Sequence, residues 1–218
     1  MPPDRRRRRR ADPVALDVFL NLAFDASTEW LRVAQVSGLA ALGFTARSVL
    51  EIHGADRLER LLDIIAACGV SISDLSWVRP KDLRHNMPFE LGLAVALADR
   101  FEPRLQFFVS DREPLRLKRT LSDLGGHDVI VHRGDPRVVL TKLHERFVGP
   151  DPRPTLAQMR EVHRVVVDSI PRIKDELDAH DLFNSSCFAA LCTTAREATD
   201  QIVKRPAASR SRNRGTRT

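Results

Sequence analysis

Five times between residues 16 and 147, a short run of strand-forming residues gives way to a longer segment whose apolar residues recur at helical spacing. The predicted strands are LDVFLNLAF (16–24), FTARSVLEI (44–52), GVSISDLS (69–76), RLQFFVS (104–110) and HDVIVHR (127–133). The predicted helices are 27–42, 55–68, 86–99, 113–126 with a glycine stop at SDLGG, and 135–147 started by Asp135 and Pro136. A parallel strand can return to its sheet only through a crossover connection, so this alternation predicts an open parallel sheet covered on both faces. The flavodoxin-like order 2-1-3-4-5 is the expected one, and ligands of such sheets bind beyond the carboxyl ends of the strands, near the switch between strands 1 and 3.

The proline-rich GPDPRP (149–154) separates this α/β domain, 14–149, from two further helical stretches, 155–179, in which Pro171 predicts a kink, and 184–200. These carry no chemical motif and read as an extension, 150–203, for packing or for self-association into a homo-oligomer. Charge concentrates at the ends. Residues 1–13 contribute +4 and residues 204–218 contribute +6 to the formal +6, so the part between them is acidic, at −4. Both tails pair like charge with little apolar surface, which predicts disorder and weak, salt-sensitive contact with polyanions. No apolar run is long enough for a bilayer, and nothing resembles a secretory leader, so no membrane partner is expected. Cys68, Cys187 and Cys192 form an odd set without metal-ligand spacing, which suits a reducing cytoplasm and predicts no metal.

One carboxylate stands out. In NMPFELGLAVAL (86–97) Glu90 is the lone charge in an apolar helix, behind Asn86 as a candidate N-cap and Pro88 in the first turn. A helix-dipole contact is worth roughly 0.3–1 kcal/mol, whereas burying an unpaired carboxylate costs several and raises its pKa. The balance predicts that Glu90 faces a cleft. The topology brings Asp25, after strand 1, and Asp74, at the end of strand 3, to the same edge. Arg112, in SDREP after strand 4, could reach a phosphate, and Trp77, just after SDLS, could stack on a base. Gly92 is expected to permit close helix packing, and His85 to stand beside the motif as a second proton-transfer group or an exposed polar residue.

FLNLAFD (19–25), which includes Phe24, then SDLS (73–76) and NMPFELGLAVAL resemble, in that order, the superfamily joining TIR (Toll/interleukin receptor) domains to nucleoside 2-deoxyribosyltransferases. Bacterial TIR-like proteins show an Asn, a few residues and then FELG. The resemblance spans roughly residues 16–147, and it implies that Glu90 is catalytic at the ribose carbon of an N-glycosidic bond. It further implies Asp74 on sugar or base; Phe24, Asp25, Trp77, Asn86 and Arg112 complete the candidate substrate site. Arg84 stands where the transferases carry an extra Asp, which points to glycosidic cleavage of a nucleotide, above all of NAD as substrate rather than cofactor. The alternatives are a nucleotide-sensing or assembly module without turnover and deoxyribosyl transfer.

Two other uses of such a sheet fit poorly. A receiver domain needs an acidic pair after strand 1 and a Lys after strand 5, where this chain has a lone Asp25 and Arg133. A dinucleotide-binding Rossmann domain needs a glycine-rich first turn, and LNLAFDAS has none.

Overall fold

A computed structural model describes residues 16–54, 56–78, 86–100, 105–149 and 152–204. The expected tails 1–13 and 204–218, apart from Lys204, which ends a helical turn from Asp200, and Arg84 and His85 lie outside the described residues. Five strands, β1 (Asp17–Asn21), β2 (Thr45–Ser48), β3 (Val70–Asp74), β4 (Gln106–Asp111) and β5 (Val129–Val131), form one all-parallel sheet in the order β2-β1-β3-β4-β5. The helices are α1 (Glu29–Ala41), α2 (Arg57–Ala67), α3 (Asn86–Arg100), α4 (Arg116–Thr120), α5 (Pro136–Arg146), α6 (Leu156–Glu176) and α7 (Ser185–Thr199).

α1 explains the architecture. Ten of its thirteen residues are buried, more than one sheet-facing stripe can account for. It is enclosed: besides the sheet it packs against α5, α6 and α7. Gly38 makes the α1–α5 approach possible, since a Cβ there would stand 2.8–2.9 Å from the Leu143 and Leu140 side chains. One apolar core therefore runs from Val18, Leu20 and Ile72 of the strands through Leu31 and Leu39 to Met159, Val162, Phe188 and Leu191 of the last two helices. α6 opens with a capping box, Thr155 with Gln158, and runs on through Pro171; α7 is capped by Asn184, whose side chain accepts from Cys187 N–H at 2.8 Å.

Three elements differ from expectation. The strand predicted over 44–52 stops at Ser48, where Glu51 accepts from the Ser48 N–H at 2.7 Å and a capping box starts a 3-10 turn, Val49–Glu51. The helix predicted over 113–126 is only α4 and a separate 3-10 turn, Ser122–Leu124, because Leu115 has a positive φ of 63° and Leu121 leaves the helical region. The first strand ends at Asn21, so Leu22–Asp25 is a loop across the carboxyl edge. That loop builds the site.

Candidate functional site

α3 buries Met87, Glu90, Leu91 and Ala94, positions that share one face of a helix. Its other apolar residues are less enclosed than their character predicts: Phe89 is exposed, and Leu93, Val95 and Leu97 are half-buried. Glu90 is thus a charge on the inward stripe. It opens on a cavity of about 350 Å³, lined by Asn21, Leu22, Ala23 and Phe24 after β1, Arg57 of α2, and Asn86, Met87 and Glu90 of α3. The cavity lies at the carboxyl edge beside the β1–β3 switch, where the topology leads ligands to bind.

Among the described residues none donates a hydrogen bond to the Glu90 carboxyl. Burial pushes its pKa from 4.5 up to about 7, against the smaller opposing pull of Arg57. Arg57 is the first residue of α2 and Asn86 the first of α3, so the amino ends of two helices reach the cavity, where N–H groups favour anions. Asn86 stands inside its helix rather than capping it from before.

Asn21, which sequence reasoning passed over, pins this geometry. Its Nδ2 donates to Met87 O at 2.8 Å and to Ser73 Oγ at 3.2 Å, tying the end of β1 to β3 and to the first turn of α3. Both amide hydrogens are thereby engaged. The signal was present, a lone polar residue inside the apolar FLNLAF. Arg57 left none, as one of several charges on a surface helix.

The other expected site residues lie elsewhere. Asp25 caps the 3-10 turn Ala26–Thr28, accepting from Ser27 N at 2.9 Å and Ser27 Oγ at 2.6 Å, and is not among the cavity-lining residues. Ser27 Oγ in turn accepts from Trp77 Nε1 at 2.8 Å. Trp77 leans on Trp30, ring centroids 6.5 Å apart, and carries the Arg112 guanidinium 5.9 Å above it. Arg112 also closes on Gly134, where φ is +79° and a Cβ would stand 2.8 Å from Nη2. Neither Trp77 nor Arg112 borders the Glu90 cavity. Gly92 does not serve close packing either, since a Cβ there meets nothing within 4 Å.

Asp74 is the clearest relocation. It is 2% exposed and spends its carboxylate on a second polar cluster. Oδ1 accepts from Ser76 N at 3.0 Å; Oδ2 accepts from Ser110 Oγ at 2.6 Å and meets His132 Nε2 at 2.9 Å. Gly134 N–H donates to His132 Nδ1 at 3.1 Å, so Nδ1 is the acceptor and Nε2 carries the proton given to Asp74. A hydrolase triad would use the two ring nitrogens the other way round, with the acid on Nδ1–H and the hydroxyl on Nε2. Ser76 Oγ lies 3.0 Å from the same Nε2, and Trp30 closes the ring edge at 5.5 Å. Asp111, one strand over, accepts from Glu113 N at 3.0 Å through Oδ1, and burial raises its pKa. Among the described residues no three acidic, His or Cys side chains are placed to share a metal ion, and no helix is long and apolar enough to cross a membrane. No family model, curated protein or solved structure matches the chain.

Proposed function

We propose that the Glu90 cavity binds a nucleotide and cleaves its N-glycosidic bond, with NAD hydrolysed to nicotinamide and ADP-ribose. The observation that carries this reading is Glu90 itself, a buried carboxyl with no hydrogen-bond donor among the described residues, on the wall of a cavity of about 350 Å³ at the β1–β3 edge. That volume is at the small end for ligand sites and suits a base with its ribose. Arg57 and the two helix ends stand ready for phosphate oxygens.

Cleavage of this bond builds positive charge on the ribose ring, and a carboxylate held nearby in a poorly solvated site stabilises it. The bond electrons leave with the base. Nicotinamide begins as a ring cation and departs neutral, so its departure needs no proton donor. Water adds to the ribose carbon and releases one proton, which ionised Glu90 can accept. An ordinary nucleoside, by contrast, calls for an acid at the base, and Asp74 is engaged away from the cavity with three hydrogen-bond partners.

The test is an incubation of the purified protein with NAD and, side by side, with a pair of deoxynucleosides and free bases, followed by chromatography. Free nicotinamide, with deoxynucleosides turned over at least about tenfold more slowly, is expected. Deoxyribose exchange between bases with NAD untouched would assign the transferase chemistry, and NAD binding without release of nicotinamide would assign a sensing module.

A further inference from the structure

On α1, Arg32 is 0% exposed, and among the described residues none of its Nε, Nη1 and Nη2 atoms meets a hydrogen-bond acceptor. The guanidinium lies over the rings of Phe24 at 5.3 Å and Phe183 at 5.4 Å, rings that pack edge to face on each other at 6.0 Å. Ring faces attract a cation but accept no N–H bonds in the guanidinium plane. The acid best placed by sequence, Glu29, is committed elsewhere: its carboxylate takes Lys174 Nζ at 2.9 and 3.0 Å and the Leu182 N–H at 2.9 Å. Cys192 offers no anion, because burial pushes its thiol up to about 12. Burial also brings Arg32 down to about 10, so it remains charged at neutral pH. A residue kept here for packing alone would be an apolar one, since a buried charge without acceptors costs more than such ring contacts return.

Phe24 is 40% exposed and lines the Glu90 cavity, so a single side chain borders both the cavity and the guanidinium. We propose that Arg32 is the phosphate-binding residue of this cavity: the Phe24 ring turns aside and the planar fork takes two oxygens of the ligand's phosphate or pyrophosphate. This rests on reading the cavity as a nucleotide site. Arg57 on the rim draws the anion in, and Arg32 fixes it, as a guanidinium fork matches a phosphate edge where a point charge does not. Phe183, from the connection between α6 and α7, backs the guanidinium, so the C-terminal helices take part in ligand binding.

Inorganic pyrophosphate and ADP-ribose are the probes, titrated calorimetrically into the Glu90→Gln protein so that no turnover contributes heat. Both should bind, and adding Arg32→Met should weaken both at least about tenfold while the ligand-free melting temperature stays level or rises. Arg32→Lys, which keeps the charge and loses the fork, should fall between and provides the measurement if the Met variant does not fold. Failure of both probes to bind, or unchanged affinity in a folded Arg32→Met or Arg32→Lys protein, would overturn the assignment. So would a fall in melting temperature with affinity intact, which would make Arg32 a structural clamp. The wild-type protein separates the two readings: Arg32-dependent pyrophosphate binding without base release refutes only the glycosidase, and base release with KM unchanged in Arg32→Met refutes only the phosphate site.

Discussion

Glu90 and Asp74 stand at the same edge of one sheet and are 8% and 2% exposed, yet the fold treats them oppositely. Asp74 is given a donor on every side, from Ser76, Ser110 and His132. Glu90 is given none among the described residues, only a cavity and, across it, Arg57. A buried carboxylate saturated with hydrogen bonds is a strut, because its lone pairs are engaged and its partners depend on it. One held away from water without donors has lone pairs to offer, and its proton is loosened or held by whatever enters. Proximity to the ligand-binding edge alone therefore does not mark a catalytic group, and the proposed reaction falls to the carboxyl that no described donor engages.

The largest expected effect would break the strut. Asp74→Ala takes the acceptor from the buried Ser76 N–H and the Ser110 hydroxyl and leaves the His132 imidazole N–H only Ser76 Oγ, and should cost roughly 3 kcal/mol, seen in chemical denaturation, with a melting temperature lower by roughly 6–12 °C. Base release per folded molecule should remain at the wild-type rate. Loss of turnover with stability intact would put Asp74 back at the substrate.

Glu90→Gln should do the reverse, and pH reveals it. The native state holds a proton up to about pH 7 that the unfolded chain gives up near 4.5, so Glu90's contribution to stability is full below pH 4.5 and declines as pH rises to about 7. Removing the titration should widen the stability difference in favour of Glu90→Gln by roughly 3 kcal/mol between pH 4.5 and pH 8. Parallel stability curves for the two proteins would contradict the buried, donorless setting of Glu90. The same ionisation should shape catalysis. Since the carboxylate is the active form, kcat/KM for NAD should fall about tenfold per pH unit below 7 and level off above it.

The smallest effect sharpens the boundary of the site. Arg112→Ala removes a guanidinium that lies over Trp77 and outside the cavity, and should change stability by less than about 0.5 kcal/mol and leave KM for NAD unaltered. A several-fold rise in KM would extend the site to the β4 edge.

The legibility of the molecule follows the range of its interactions. Strand and helix alternation is written in local periodicity, and with the crossover rule it yields the order 2-1-3-4-5. Glu90 was legible because a lone charge on an apolar stripe is itself a local anomaly. The pairing of Asp74 with His132 was not, since it joins residues 58 apart through the adjacency of three strands. The third layer was half legible: WLRVAQVSGLAAL offers too little polar surface for a helix with one face in water, which is what α6 and α7 cover. The capping box Ser48–Glu51 was written in plain spacing and was outweighed by the alternation of the strand before it.

Assignment of the chemistry to Glu90 rather than to Asp74 is the heart of the proposal. It is tested most directly by the initial rate of nicotinamide release from NAD at pH 8, for wild-type protein and for Glu90→Gln shown to be folded by its melting curve. The wild type should release nicotinamide, and Glu90→Gln should lose at least about a hundredfold in rate. Near wild-type release by the folded variant would contradict the assignment.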